Sequence, residues 1–501
     1  MDITPTLLYN YIRCPHRPWR DKYGPQSEKL PPNEFLKLLW EKGVKHEQKI
    51  VGQLGPYEDM TKYPYRERQN MTLRAMKDGA ELIYRGQLAA DGLKGEPDLL
   101  RKIDSSKHKY IAIDIKSGRG YEGGNGEEED SGRPKKHYAV QLCLYTDILE
   151  RLGYSPHRKG IILDIDNEEF EYVLSDPIGV RNSQTYWDLY TESKEELTLL
   201  LDNKVETTPA YSGSECKFCH WHASCKNWVK DNDDMSQIYR LGRSIRDTLK
   251  SDLEISTVDD LLTVDVADVL SRKHKGFLVG IGESKLNSAV NRARVLRKVK
   301  RPVSYKAFTV IEADYELFFD IEADPTQDHV YLHGVLERCD GRERFVSFLA
   351  ENIDPEEERS AWAKFWEYIG TLGRSYAVYH YSSYERTTYK HLCKKYPDVI
   401  SLDKVDEFFD NSSVVDLYRY VDKYTDWPLM SYSLKDIAMY LGFQWRDEDP
   451  SGANSIRWYN EFIASGEDSI MKRILEYNED DCRATMVLKD YLCSDLRFGA
   501  L

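Results

Sequence analysis

Two short runs set ionisable side chains one residue apart on stretches that read as strands: "DIK", Asp114 and Lys116, and "DIE", Asp320 and Glu322. Residues i and i+2 of a strand leave the same face. "GEPD" lies just upstream of "DIK" and brings Asp98 to the end of the neighbouring strand. Two carboxylates placed together can hold a hard divalent cation such as Mg²⁺ or Mn²⁺ through oxygen. A lysine beside that ion can orient or deprotonate a water and stabilise the charge that builds on a phosphate. Asp98, Asp114 and Lys116 therefore have the makings of a phosphodiester-cutting site. The plainer alternative is a pair of turn carboxylates with a solvent lysine. In "LFFDIEAD" an apolar strand would not turn Asp320 and Glu322 inward unless something neutralises them. Near the C-terminus, "ILEYNEDDCRATMVLKDYL" is helical in pattern, with Tyr477 and Asp481 one turn apart.

A third group is made of thiols. "CKFCHWHASC" supplies Cys216, Cys219 and Cys225 where a closed metal site usually takes four ligands. His220 or His222 next door would complete a zinc site. The nine cysteines make an odd number for a disulfide framework. Cys143, Cys339, Cys393, Cys482 and Cys493 are unclustered and read as ordinary buried thiols.

The elements that must position these groups follow from pattern. "GEPDLLRKID" and "KYIAIDIKSG" read as strands joined by a polar turn, and "HYAVQLCLYTDILERLG" as a helix with a Gly stop. "KGIILDID" and "EFEYVLS" read as a further hairpin. The Gly-rich acidic stretch 117–136 reads as a mobile loop. Residues 231–305 look helical. From 306 three strand-like runs precede a helix, the strand "SYAVYHY" and several more helices, which suggests an α/β domain with an antiparallel portion. The expected domains are 1–230, 231–305 as a helical linker, and 306–501.

With 501 residues the chain is too long for one core. A net charge of −15 argues against a uniformly basic nucleic-acid coat, yet allows an enzyme whose sites are carboxylate clusters. The basic residues gather locally in "NRARVLRKVKRP" (291–302). "VGIG" (279–282) ahead of it resembles the second half of a helix-hairpin-helix element, whose free N–H groups can cradle a phosphate. A glycine turn between linker helices reads equally well. No apolar run is long enough to span a membrane, and no secretory signal opens the chain. A cytoplasmic protein with reduced thiols is expected. No G-x-x-x-x-G-K-[ST] run occurs, so no motor is expected within the chain.

Gly95, Pro97 and Asp98, then Asp114 and Lys116, then Gln141 and Tyr145 in "QLCLY" follow the order G-x-P-D, D-x-K, Q-x-x-x-Y. This stretch resembles the PD-(D/E)xK nucleases, specifically their RecB branch, and implies a restriction-endonuclease-like fold. The resemblance implies metal on Asp98 and Asp114, water handled by Lys116, and Gln141 and Tyr145 at the substrate. It also implies a metal-ligating histidine on the first helix. His46 stands there, one residue short of the usual spacing, with Glu47 as the alternative. Some RecB-branch nucleases, including the AddB type and the exonucleases of CRISPR adaptation, hold a [4Fe-4S] cluster. One of its cysteines precedes the nuclease core and three follow it. By that resemblance Cys14 in "YIRCPHRPW" joins Cys216, Cys219 and Cys225. Zinc on the local cysteines and a histidine remains the rival.

The C-terminal runs resemble the DnaQ-like (DEDDy) 3′–5′ exonucleases on the ribonuclease H fold. That resemblance implies two Mg²⁺ or Mn²⁺ ions on Asp320, Glu322 and Asp481, with Tyr477 orienting the attacking water. The family's second motif usually carries an aspartate; here Glu385 follows Tyr384, and Asp416 is a later acid. Over nearly its whole length the chain is similar to RecB-family nucleases with a DnaQ-like tail. The expected activity is metal-dependent hydrolysis of DNA, with RNA also open, from two sites. The expectation from another class is a nucleic-acid-binding adaptor that serves a helicase partner.

Overall fold

The computed structural model describes residues 2–104, 108–122, 133–179, 182–272, 274, 276–372 and 375–494. Residues 123–132 of the Gly-rich acidic stretch lie outside them. The chain divides into two compact units. The first takes residues 1–32, 36–209 and 215–224; the second takes 33–35, 210–214 and 225–501.

In the first unit Pro5 at the first turn and the Thr4 hydroxyl, which accepts from the Leu7 N–H, start helix α1 (Pro5–Arg13). Helix α2 (Glu34–Val51) follows. Six strands then lie side by side in chain order: β1 (Glu58–Asp59), β2 (Leu82–Tyr84), β3 (Leu99–Asp104), β4 (Lys109–Ile115), β5 (Lys159–Leu163) and β6 (Glu169–Val173). β3 and β4 run antiparallel, with Leu99 opposite Ile113. This register leaves Asp98 and Asp114 at the same end of the two strands. β4 and β5 are parallel, which requires a crossover, and helix α3 (Lys136–Arg151) lies within it. Every residue of α3 from Ala139 to Leu149 is buried, so the helix forms the spine of the first core, with Tyr110, Ala112 and Ile162 in the same cluster. Gly95 lets the α3 residue Tyr145 lie close, since an added Cβ would stand 2.6 Å from its ring.

The second unit begins with helical turns whose buried Leu249, Val258, Leu261 and Leu286 make their own small core. Within it the run 278–282 forms a tight turn: Leu278 and Ile281 point inward, Val279 outward, and Gly280 takes φ 75°. Helix α4 (Glu283–Arg294) follows. Its Arg292 donates to Asp426, 2.9 Å away, and both side chains are nearly buried.

A five-stranded sheet comes next: β7 (Tyr315–Asp324), β8 (His329–Cys339), β9 (Arg342–Leu349), β10 (Ala377–His380) and β11 (Val414–Asp416), in spatial order β9-β8-β7-β10-β11. The first three strands form an antiparallel meander, whereas β10 and β11 extend the sheet in parallel from β7. Alternation along β7 sorts its side chains. Leu317, Phe319 and Ile321 pack with Trp362 and Phe365 of helix α5 (Pro355–Thr371) and Tyr389 of helix α6 (Tyr384–Lys395). Phe318 packs on the other face with Cys482 and Leu488 of helix α7 (Asp468–Ser494). Each large apolar side chain buried this way stabilises by about 1.5–3 kcal/mol. Asp320 and Glu322 share the Phe318 face and so meet α7. Gly334, paired opposite Asp320 on β8, leaves room for the Asn478 side chain that a Cβ would occupy. No helix among the described residues is long and apolar enough to cross a membrane.

Candidate active sites

In the first unit, Asp98 just before β3 and Asp114 near the end of β4 are both buried. The Asp98 Oδ2 accepts from the Ile115 N–H at 2.7 Å, which clips the two strand ends together. Burial, then repulsion from Asp114, pushes the Asp98 carboxyl up to about 7. Lys116 closes on Asp114 at 2.9 Å. Burial works against its ammonium, but Asp114 and Asp98 outweigh that effect and hold its pKa above the ordinary lysine value. At neutral pH it is therefore a fixed cation, suited to charge stabilisation more than to taking a proton. The Tyr145 hydroxyl bonds to Asp114, while the buried Gln141 Oε1 one turn earlier has no hydrogen-bond partner among the described residues.

α2 brings its two candidates to different places. The His46 Nε2 lies 3.1 Å from the backbone carbonyl of Asp164. Glu47 instead joins the acid group: it accepts from the Tyr84 hydroxyl at 3.0 Å and from the Arg85 Nε at 2.8 Å. Arg85, which the sequence reading passed over, also approaches Asp98 at 3.5 Å.

In the second unit one carboxylate oxygen each from Asp320, Glu322 and Asp481 lie within 4.8 Å of one another. Burial, then the charges of Asp481, Glu322 and Glu385, raises Asp320 well above the usual carboxylate range. Burial and Asp481 push Glu322 up to about 8. Burial pushes Asp481 up to about 6 although the Trp445 and Tyr477 side chains bond to it. Trp445 donates its Nε1–H to Asp481 at 2.8 Å. Three acids this close, all paying for their charge, form a donor set that fits a hard divalent cation. Tyr477 is buried beside them, its phenol raised far up by burial and by Asp481.

Glu385, at the start of α6, is buried with His380 Nδ1 3.3 Å from its carboxylate, and its charge reaches Asp320. Asp416 is occupied elsewhere, since its Oδ1 accepts from the Ser382 N–H and caps the following helix through the Tyr418 N–H. Between His380 and Glu385 the chain makes a strained turn, with Ser382 at φ 99°. Tyr384, 47% exposed, stands at this turn, and the charges of Glu322 and Asp320 act on its phenol. Further polar residues beside the acids escaped the sequence reading, Asn478 and Trp445 among them. Asn478 donates its amide to Asp320 at 2.7 Å and reaches Glu322 at 3.5 Å. The i, i+3 spacing of Asn478 and Asp481 on one helix face is the signal that would have found it. Trp445 carried no such spacing.

Cys14 ends α1, its N–H bonded to the Asn10 carbonyl, and its thiol acts electrostatically on Cys219. The Cys219 N–H in turn bonds to the Cys216 carbonyl. Both neighbouring histidines are engaged: His220 Nε2 sits 2.6 Å from Asp21, and His222 Nδ1 2.8 Å from the Cys219 carbonyl. Although burial opposes it, Asp21 is held down at about 2 by His220 and Trp221. Cys225 is buried.

Residues 20–226 match the family model of the PD-(D/E)XK nuclease superfamily, and residues 317–493 match that of the RNase_H superfamily. No curated protein matches the chain. The fold is mixed α/β, with a PD-(D/E)XK domain followed by a ribonuclease H-like domain. Both matches support a nuclease function and imply a nucleic-acid substrate.

The raised carboxyls have a consequence for stability. Between about pH 4, where unfolded carboxyls titrate, and pH 8, Glu322 and Asp481 hold more protons in the ion-free folded state than in the unfolded one. The contribution of this acid cluster to stability therefore falls as pH rises through that window. Asp320→Asn removes part of the repulsion and is expected to raise stability at pH 8 by about 1–3 kcal/mol, with a much smaller effect at pH 5. Chemical denaturation of chelator-treated protein at the two pH values checks this.

Proposed function

We propose that this chain is a divalent-metal-dependent nuclease with two active sites, an exonuclease on single strands or ends. DNA is the favoured substrate, and RNA is the alternative the same chemistry admits. The convergence of Asp320, Glu322 and Asp481 carries the reading. Evolution keeps a destabilising cluster of buried acids where function needs it. Mg²⁺ or Mn²⁺, when bound, supplies positive charge to the scissile phosphate and a more acidic water.

The roles of the side chains follow from their surroundings. In the ribonuclease H-like domain Asp320, Glu322 and Asp481 hold the cation, Asn478 and Trp445 fix the directions of Asp320 and Asp481, and Tyr477 orients the water. In the PD-(D/E)XK domain Asp98 and Asp114 hold the cation, with Glu47 or His46 as a further ligand. Lys116, kept charged by its carboxylates, steadies the negative charge that develops on phosphorus. Gln141, with its unspent oxygen, and Tyr145 brace the site or meet the substrate.

Cys14, Cys216, Cys219 and Cys225 are proposed as ligands of a [4Fe-4S] cluster. The proximity of Cys14 to Cys219 and the engaged histidines favour it over zinc. Anaerobically purified protein should be brown and contain iron and acid-labile sulfide, both lost in Cys14→Ser. Stoichiometric zinc with no iron would overturn the assignment.

One observation favours the adaptor reading for the C-terminal half: Glu385 stands where an aspartate is usual and faces His380. Nuclease assays on labelled single- and double-stranded DNA and RNA with Mn²⁺ or Mg²⁺ separate the two. Two working sites predict partial activity in Asp114→Ala and in Asp320→Ala, and a loss of at least about a hundredfold in the double variant. Wild-type protein that cuts none of these substrates would overturn the nuclease reading and favour the adaptor that serves a helicase partner.

A further inference from the structure

The two acid clusters are neutralised differently. Around Asp320, Glu322 and Asp481 the hydrogen-bond donors include the Asn478 amide, the Trp445 ring and the Tyr477, Tyr331 and Ser455 hydroxyls, all neutral groups, and the three carboxyls are raised. Around Glu47, Asp98 and Asp114 the protein supplies two cations of its own. Lys116 takes Asp114, and the Arg85 guanidinium lies against both Glu47 and Asp98. Arg85 therefore supplies to Glu47 and Asp98 the positive charge that a divalent cation would otherwise supply.

Its placement is specific. The residue adopts φ 54°, a left-handed conformation that a long side chain rarely takes, and its N–H bonds to the Asp98 carbonyl at 2.9 Å. The backbone is thus tied to the very residue that the guanidinium neutralises. The side chain is still 32% exposed, so solvent and a ligand can reach it. Guanidinium also matches phosphate oxygens in a two-pronged geometry.

We propose that Arg85 is a phosphate-binding positioning residue of the PD-(D/E)XK site, parked on Glu47 and Asp98 until nucleic acid arrives. This rests on the metal-nuclease reading of that site. When a backbone phosphate takes the guanidinium, Glu47 and Asp98 are released to a cation. When a cation takes the carboxylates, Arg85 is released to the phosphate. By linkage each ligand then strengthens the other to the same degree. Cutting at this site is thereby tied to occupied substrate, and free metal alone loads it weakly.

The test is Mn²⁺ binding, followed by electron paramagnetic resonance, to full-length Asp320→Ala protein in which the second site is crippled. Titrations are run with and without an oligothymidylate whose phosphorothioate linkages resist cutting. The oligonucleotide is expected to tighten Mn²⁺ binding about tenfold or more. Adding Arg85→Gln should tighten Mn²⁺ binding without oligonucleotide and abolish the enhancement, while Arg85→Lys keeps a reduced enhancement. Identical Mn²⁺ affinity with and without oligonucleotide, or full enhancement in Arg85→Gln, would overturn the role of Arg85. The first of these needs no substitution at Arg85. A separate control guards the underlying reading: Mn²⁺ binding that survives Asp98→Ala and Asp114→Ala undiminished would sink the metal site itself and Arg85 with it.

Discussion

Carboxylates that share a dry site repel each other, and only a rigid frame or a cation keeps them there. That repulsion is the constraint around which both halves of this protein are arranged. β7 fixes Asp320 and Glu322 two residues apart on one face, and α7 presents Asp481 to them across the sheet. Neither element can move away, because Phe318, Cys482 and Leu488 hold strand and helix together on that same face. The packing energy of an ordinary core therefore holds an arrangement that is unfavourable by itself until an ion is bound.

The PD-(D/E)XK half meets the same constraint differently. Its acids sit at strand ends clipped by the Asp98–Ile115 hydrogen bond, and their charge is balanced from within by Lys116 and Arg85. The ribonuclease H-like site lowers its charge mainly by keeping protons, whereas the PD-(D/E)XK site adds basic side chains of its own to the raised Asp98 carboxyl. The two are thus expected to differ in how readily a metal enters, although both use aspartates grouped with a second acid.

Much of this was legible in the sequence because strand and helix periodicity are local. Asp-x-Glu on an apolar strand and Tyr-x-x-x-Asp on a helix fix which side chains share a face before any tertiary contact is known. The strand assignments for β4, β5, β7, β8 and β9 came from the same rule. What was not legible depends on register between elements. Gly334 makes room for Asn478 only because β8 pairs it with Asp320, and no sequence spacing links positions 334 and 478. Arg85 lies in a turn before the first motif, in a backbone conformation that its residue type does not announce. The first-helix candidates were separable only once the helix was rotated into place, with Glu47 toward Arg85 and His46 toward the Asp164 carbonyl. Asp416 looked available and is spent on capping and on the Ser382 turn.

The proton is the most direct witness to the central claim. At neutral pH the Glu322 carboxyl, pushed up to about 8, holds a proton that a cation must displace, and burial beside Asp481 and Glu322 raises the Asp320 carboxyl in the same direction. Calorimetric titration of the full-length protein with Mn²⁺ near pH 7, repeated in buffers of different ionisation enthalpy, counts the protons released. The account predicts net release that is smaller in Asp320→Asn. Mn²⁺ binding without proton release, or release unchanged in that variant, would contradict it.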